Sequence, residues 1–242
     1  MDLSIVIPAY NEAHRIAETL DKVSGYFDST GMEYEIIVAD DGSGDNTAIA
    51  VSTWAETTGR TMARTITIPH KGKGAAVAAG VMAAEGNRIL MSDADVSTPF
   101  TEWPKLKEEL DRGAQIAIGS RQAPGAKVER FQPFFRQRLG KFFGWIARKI
   151  FPLEVRDSQC GFKAFDGKTA KSLFSDIRTS GYCFDVEVLL LAKRRGVEVS
   201  EVPVRWINDP DSRVNIWKDW LQVIKELWVI RDEMKKARKE GD

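Results

Sequence analysis

Asp93 and Asp95 stand one residue apart where a short apolar run, Ile89-Leu90-Met91, stops. A run of that length cut off by polar residues predicts a buried strand, and it leaves two carboxylates just past the strand's carboxyl end. Ligands of open α/β sheets collect at this end, and paired acids can turn oxygens toward a divalent cation that also holds phosphates. An acidic turn that merely closes a strand is the alternative. Other residues able to do chemistry follow other apolar runs in the same way. Pro8-Ala9-Tyr10-Asn11-Glu12 follows Leu3 to Ile7, Asp40 and Asp41 follow Tyr34 to Ala39, and Lys71-Gly72-Lys73-Gly74 follows Ala63 to Ile68. A carboxylate beyond a strand can accept hydrogen bonds from a nucleobase or ribose. Glycines beside lysines where a helix begins let backbone approach a phosphate, or simply make a turn. The spacing is not that of a P-loop.

These residues need elements to hold them. Asn11 is a candidate cap for a helix reaching Phe27, with Ile16, Leu20 and Val23 as its apolar stripe. Asn46 or Asp45 can cap a second helix toward Thr57, and an alanine-rich helix is expected over Ala75 to Ala84. Further strands are expected at Gln115 to Ser120 and Val199 to Val204. Strands alternating with helices predict an α/β fold with a mainly parallel sheet and right-handed crossovers. In a parallel sheet Tyr10, Glu12, Asp41, Lys73, Asp93 and Asp95 converge on one rim, although they are scattered in the chain.

At 242 residues one domain is expected, spanning 1–242. Its 35 basic residues balance 35 acidic ones, so the global charge predicts no nucleic-acid partner. With 43% hydrophobic and 29% charged residues, the composition is that of a soluble globular chain. Met1 and Asp2 lead straight into an apolar segment with no leader pattern, and no apolar run approaches the roughly 20 residues a bilayer requires. The expectation is a cytoplasmic protein. Cys160 and Cys183 lack metal-ligand spacing and are expected as buried free thiols, while His14 and His70 are expected to be surface or capping residues.

The segments IVIPAYNE, IIVADDGSGDNT, KGKGAAVAAG, MSDADVSTP and IAIGSR, in this order, resemble the family 2 glycosyltransferases with a GT-A, Rossmann-like fold. RDSQCGFK, from Arg156 to Lys163, is similar to the pattern of enzymes that glucosylate dolichyl phosphate. The resemblance implies an inverting transfer of a hexose to a polyprenyl or dolichyl phosphate, with UDP-glucose as donor and GDP-mannose as the alternative. It implies that 1–121 binds the nucleotide sugar and that 122–242 faces the acceptor and the membrane. Pro8, Ala9, Tyr10, Glu12, Ala39 and Asp41 would meet base and ribose; Lys73, Asp93, Ala94 and Asp95 would line the diphosphate and sugar. Asp95, with Asp93, would hold magnesium or manganese. Ser97 stands where mannosyl relatives often carry glutamine. Arg121 would pair with phosphate, and Ser212-Arg213 would close over it where relatives carry Ser-Lys. Asp157 and Asp185 are the candidates for orienting the acceptor, and Asp185 could equally be a first-turn helix acid.

The second half carries an aromatic and basic stretch from Phe131 to Phe151. Phe142, Phe143 and Trp145 would enter a headgroup boundary while Arg136 and Arg138 meet anionic lipid or the acceptor's phosphate. A core-packed helix with solvated cations is the competing reading. A carboxyl-terminal amphipathic helix is expected over Ile216 to Lys239. Together these predict peripheral association with the cytosolic face of a membrane. A non-catalytic, membrane-associated sugar-nucleotide scaffold is the reading from another class.

Overall fold

The computed structural model describes residues 1–129, 150–151, 153–208 and 223–234. Strands β1 (Leu3–Ala9) and β2 (Tyr34–Asp40) are buried along all seven residues each. Near-continuous burial is what a parallel strand with helices on both faces requires, and it is why these segments read as apolar runs and not as alternation. Helices α1 (Ile16–Phe27), α2 (Thr47–Thr58) and α3 (Lys73–Ala83) connect them to β3 (Ala63–Thr67) and β4 (Arg88–Met91). There follow α4 (Trp103–Asp111), β5 (Ile116–Ser120), β6 (Lys127–Glu129), β7 (Lys163–Asp166), α5 (Gly167–Phe174), α6 (Phe184–Arg194), β8 (Val199–Pro203) and β9 (Arg205–Ile207). A further helix, α7, covers 223–234.

The main sheet has the order β3-β2-β1-β4-β7-β5-β8. Strands β1 to β4 run parallel, β7 is antiparallel to both β4 and β5, and β8 is parallel to β5. Two reversals restore direction, so the carboxyl ends of six strands and the amino end of β7 reach one rim. A separate parallel pair joins β6 to β9. The expected mainly parallel architecture is present, with β7 as a reversed strand that the sequence reading did not foresee.

One apolar layer packs α1, α2 and α4 on one face of the sheet, with Phe27, Trp103, Leu20 and Leu106 buried. The other packs α3, α5 and α6, through Val77, Val81, Phe174 and Val188. Gly80 lets α3 lie close on the sheet, because a Cβ there would come within 2.5 Å of Val6. Helix α7 lies on α6 through Leu227 and Ile230 against Cys183, Val186 and Leu190. Both cysteines are free and buried, as expected. Among the described residues no helix is long and apolar enough to cross a membrane. Arg136, Arg138, Phe142, Phe143, Trp145, Ser212 and Arg213 lie outside the described residues.

Candidate active site

The loops leaving β1 and β2 are clasped together. Asn11 has φ 56°, a left-handed conformation that asparagine tolerates. Its Oδ1 accepts the Gly44 and Asp45 N–H groups at 2.8 and 3.2 Å, and its own N–H donates to Ser43 Oγ at 2.8 Å. The side chain expected to cap α1 therefore organises the neighbouring loop instead. Helix α1 is approached through Glu12, whose carbonyl accepts the Arg15 and Ile16 N–H groups. At α2 it is the Asp45 carboxylate that accepts the Thr47 N–H, at 3.0 Å.

Asp41 is a buried organiser of the next loop. Its Oδ1 accepts the Lys71 N–H at 2.8 Å, its Oδ2 the Gly72 N–H at 2.9 Å, and Oδ2 lies 2.8 Å from His70 Nδ1. Tyr10, 43% exposed, lies on the His70 ring with centroids 4.2 Å apart and planes 17° apart. His70 is thus part of the rim. Sequence reasoning set it aside as an isolated histidine, although its place just past β3 was a usable signal.

The amino end of α3 is closed by backbone. Gly74 and Ala75 donate their N–H groups to the carbonyls of Gly181 and Ser180, at 3.2 and 3.0 Å. A Cβ at Gly72, whose φ is 119°, would come within 2.6 Å of Ser180 O, and one at Gly74 within 2.8 Å of Phe184 Cβ. These glycines admit a neighbouring loop, and the two N–H groups are already spent on it. What the segment offers the rim is Lys73, whose Nζ sits 2.6 Å from Asp93 Oδ1.

Asp93 and Asp95 occupy different environments. Burial works to raise the Asp93 carboxyl, but Lys73, with Lys163 and Arg121 behind it, holds it below the ordinary carboxylate range. Burial raises the Asp95 carboxyl and the charge of Asp93 raises it further, against an opposing hydrogen bond from the Ser97 N–H at 2.9 Å. Val96 between them and Ser97 has φ 49°, a strained conformation for a β-branched residue. The turn is pinned from outside: Thr19 Oγ1 donates to Ala94 O at 2.5 Å, and Ile207 N–H to Ser97 O at 2.7 Å. Gly161 closes over the acid, for a Cβ there would lie 2.0 Å from Asp93 Oδ2. A small cleft between these groups is lined by Asp93, Asp95, Ser97, Gly161 and Trp206.

Arg121, one residue past β5, forks onto Asp157 with Nε to Oδ2 at 2.7 Å and Nη2 to Oδ1 at 2.8 Å. Its own N–H also reaches Oδ2, at 2.9 Å, and its guanidinium lies 5.5 Å from the Trp206 ring centroid. Burial opposes ionisation of Asp157, yet Arg121 keeps its carboxyl below the ordinary range. Asp185 is in the first turn of α6, where it faces Lys163 Nζ at 2.6 Å. Lys163 also donates to Cys160 O at 2.6 Å and is almost wholly buried. Both carboxylates considered for acceptor orientation thus have cationic partners in this structure. Trp206 and His70 are rim residues that the sequence did not mark, and Gly161 and Lys163, both within RDSQCGFK, were given no role there.

The frame that gathers these groups is a GT-A glycosyltransferase fold. Glucosyl-3-phosphoglycerate synthase from Mycobacterium tuberculosis, solved in complex with Mn2+, UDP and glucosyl-3-phosphoglycerate, superposes with a TM-score of 0.69. That match covers 96% of this chain and 80% of that one at 22% identity. Residues 4–170 match the model of glycosyl transferase family 2. Dolichyl-phosphate beta-glucosyltransferases from Drosophila melanogaster and Homo sapiens are 34% and 32% identical, each over 95% of this chain and 74% of the relative. The enzyme of that name from Saccharomyces cerevisiae is 30% identical over the same shares. The chain belongs to glycosyl transferase family 2, as the resemblance in its motifs implied.

Proposed function

We propose that this enzyme transfers glucose from UDP-glucose to a dolichyl-type polyprenyl phosphate with inversion at the anomeric carbon. The observation that carries the reading is the acid pair Asp93 and Asp95, set beside Lys73 on a rim that Arg121 also reaches. The similarity to dolichyl-phosphate beta-glucosyltransferases over nearly the whole chain supports the choice of sugar and acceptor.

A divalent cation, magnesium or manganese, fits the residues present. Asp95 and Asp93 offer hard oxygen donors, and Asp95, whose carboxyl is raised by burial first and by the neighbouring Asp93 charge second, is a carboxylate whose ionised form a cation would stabilise. Among the described residues no group of three or more His, Cys, Asp or Glu could enclose an ion. Asp93 and Asp95 would hold the ion. When bound, it neutralises charge on the departing nucleoside diphosphate.

The chain's own groups do the rest. Tyr10 and His70 present ring surface to a base, while Lys73 and Arg121 bring fixed positive charge to the diphosphate. Asp93 and Asp157 hold those two cations in place before the donor arrives, so little reorganisation remains at the moment of reaction. The acceptor needs no strong base, because a phosphate monoester with a second pKa of about 6 is already ionised at neutral pH. Its oxygen forms the new bond to the anomeric carbon as the bond to UDP breaks, and a single displacement inverts the centre. Asp157 and Asp185 then serve by holding Arg121 and Lys163 in place. Arg136, Arg138, Phe142, Phe143 and Trp145, with Ser212 and Arg213, extend the same reading to lipid, acceptor phosphate and donor, on the cytosolic face of a membrane.

Incubation with UDP-glucose, Mg2+ or Mn2+ and a polyprenyl phosphate should release UDP and form a lipid-linked hexose. GDP should compete poorly with UDP for the site. Absence of turnover with every nucleotide sugar tried, or preference for GDP-mannose, would overturn the corresponding part of the proposal.

A further inference from the structure

Glu226 projects from α7, 45 positions along the chain from Gly181, yet it is 7% exposed. Its Oε1 accepts the Gly181 N–H at 2.6 Å and its Oε2 the Cys183 N–H at 3.0 Å. The carbonyls of the same loop turn the other way, since Ser180 O and Gly181 O accept the N–H groups of Ala75 and Gly74 in the first turn of α3. Loop and helix touch without an intervening side chain, because a Cβ at Gly72 would meet Ser180 O and one at Gly74 would meet Phe184. From the opposite side Asp41 grips the N–H groups of Lys71 and Gly72. Lys73 is therefore carried on backbone clamped between two buried carboxylates, one of them on the carboxyl-terminal helix. Its Nζ rests on Asp93 at the end of this chain of contacts.

We propose that Glu226 is a positioning residue for the donor site. It acts through the Gly181–Cys183 backbone to fix Lys73 on Asp93, so that the docking of α7 sets the affinity for a nucleoside diphosphate. The two bonds from one carboxylate make the clamp rigid: each is charge-assisted, and neither N–H can be satisfied by a neutral methyl in its place. The inference rests on the reading of this rim as a nucleotide-sugar site, and the experiment separates the two.

Binding of UDP in the presence of Mn2+ is measured by calorimetry on the whole chain, with thermal midpoints recorded in parallel. No binding by the unaltered protein would remove the donor-site reading, and the inference with it. Given binding there, Glu226→Ala should weaken UDP by about ten- to a hundredfold, the usual scale of coupling between two separated sites. Glu226→Gln, whose amide oxygen can still accept one N–H, should fall between. Val51→Ala, a core change between α2 and the sheet, lowers the midpoint without touching the clamp and should leave UDP affinity within about twofold. In a Lys73→Met background the further loss from Glu226→Ala should shrink to less than about twofold, because the two residues act as one unit. Full additivity in that cycle, or equal losses of affinity in Glu226→Ala and Val51→Ala at matched midpoints, would overturn the proposal. If Glu226→Ala does not fold, Glu226→Gln decides, and unchanged affinity there overturns it.

Discussion

Gly161→Ala is a single methyl group aimed at the acid pair. The added carbon would lie 2.0 Å from Asp93 Oδ2, 2.4 Å from Cγ and 2.8 Å from Oδ1. To restore a tolerable contact the carboxylate must retreat by roughly 1 Å, a misplacement worth about a hundredfold in rate where geometry is critical. Lys73, now 2.6 Å from Oδ1, loses its partner or follows it out of place. A hundredfold corresponds to about 2.7 kcal/mol of barrier, beside an overpacking cost to the fold of about 1–3 kcal/mol. Those two losses are separable with Gly167→Ala. There a Cβ would press on Gly86 O at 2.6 Å, at the far end of β7, away from the rim. Glucose transfer from UDP-glucose and thermal midpoints are measured for both. Gly161→Ala should lose about a hundredfold in kcat/KM, with Gly167→Ala close to the unaltered enzyme at a comparable midpoint. Equal kcat/KM in the two variants would refute the argument that Gly161 exists to let the Asp93 carboxylate lie where it does.

Other outcomes follow from the same geometry. Asp95→Asn should cut turnover by at least about a hundredfold while leaving the thermal midpoint of the cation-free protein unchanged or higher, because it removes an ionised group that burial and Asp93 disfavour. A midpoint that drops sharply would contradict that account. The Asp95 carboxyl is raised in the fold, so the folded state holds its proton more tightly than the unfolded chain and this site contributes stability in acid that is lost as pH rises. Because an ion must displace any proton from its ligands, Mn2+ should raise the midpoint less as the pH is lowered, as followed by thermal melts with and without the ion. Arg121→Lys keeps the charge but not the fork onto Asp157, and should cost about 1.5–3 kcal/mol of stability by denaturant titration together with a clear loss of UDP affinity. A silent substitution would show that the bidentate geometry is incidental.

Much of the first half was legible because β1, β2 and most of β4 are buried and each ends abruptly. Leu3 to Ile7, Tyr34 to Ala39 and Ile89 to Met91 have little reading except strand, and a parallel sheet then forces Tyr10, Asp41 and Asp93 onto one rim. What escaped are contacts made by residues distant in the chain. Gly72 and Gly74 look like phosphate-binding glycines until Ser180 and Gly181 arrive against them, and nothing local announces a partner more than 100 residues away. Asp185 reads as an acceptor-orienting acid or a first-turn helix acid, and it is in the first turn of α6; its partner Lys163 was not legible, since it reaches Asp185 only after β7 has turned back into the sheet. Strand β7 itself is four residues beginning with a lysine, too short and too mixed for periodicity to mark it or give its direction. Asn11 shows a different limit. Its residue type correctly signalled a side chain that satisfies orphan N–H groups, but composition could not say that those groups belong to the next loop.

The reversed course of β7 divides the sheet into two blocks, β3-β2-β1-β4 and β5-β8, that share no direct ladder. Tyr10, Asp41, Asp93 and Asp95 are mounted on the first block and Arg121 on the second. The strand between them is bonded along four residue pairs on one side and three on the other. The candidate site groups therefore straddle a seam, and one short strand lies between Arg121 and the acid pair. A change in the tilt of that strand would widen or narrow the gap between the two blocks while each helix stayed docked on its own block.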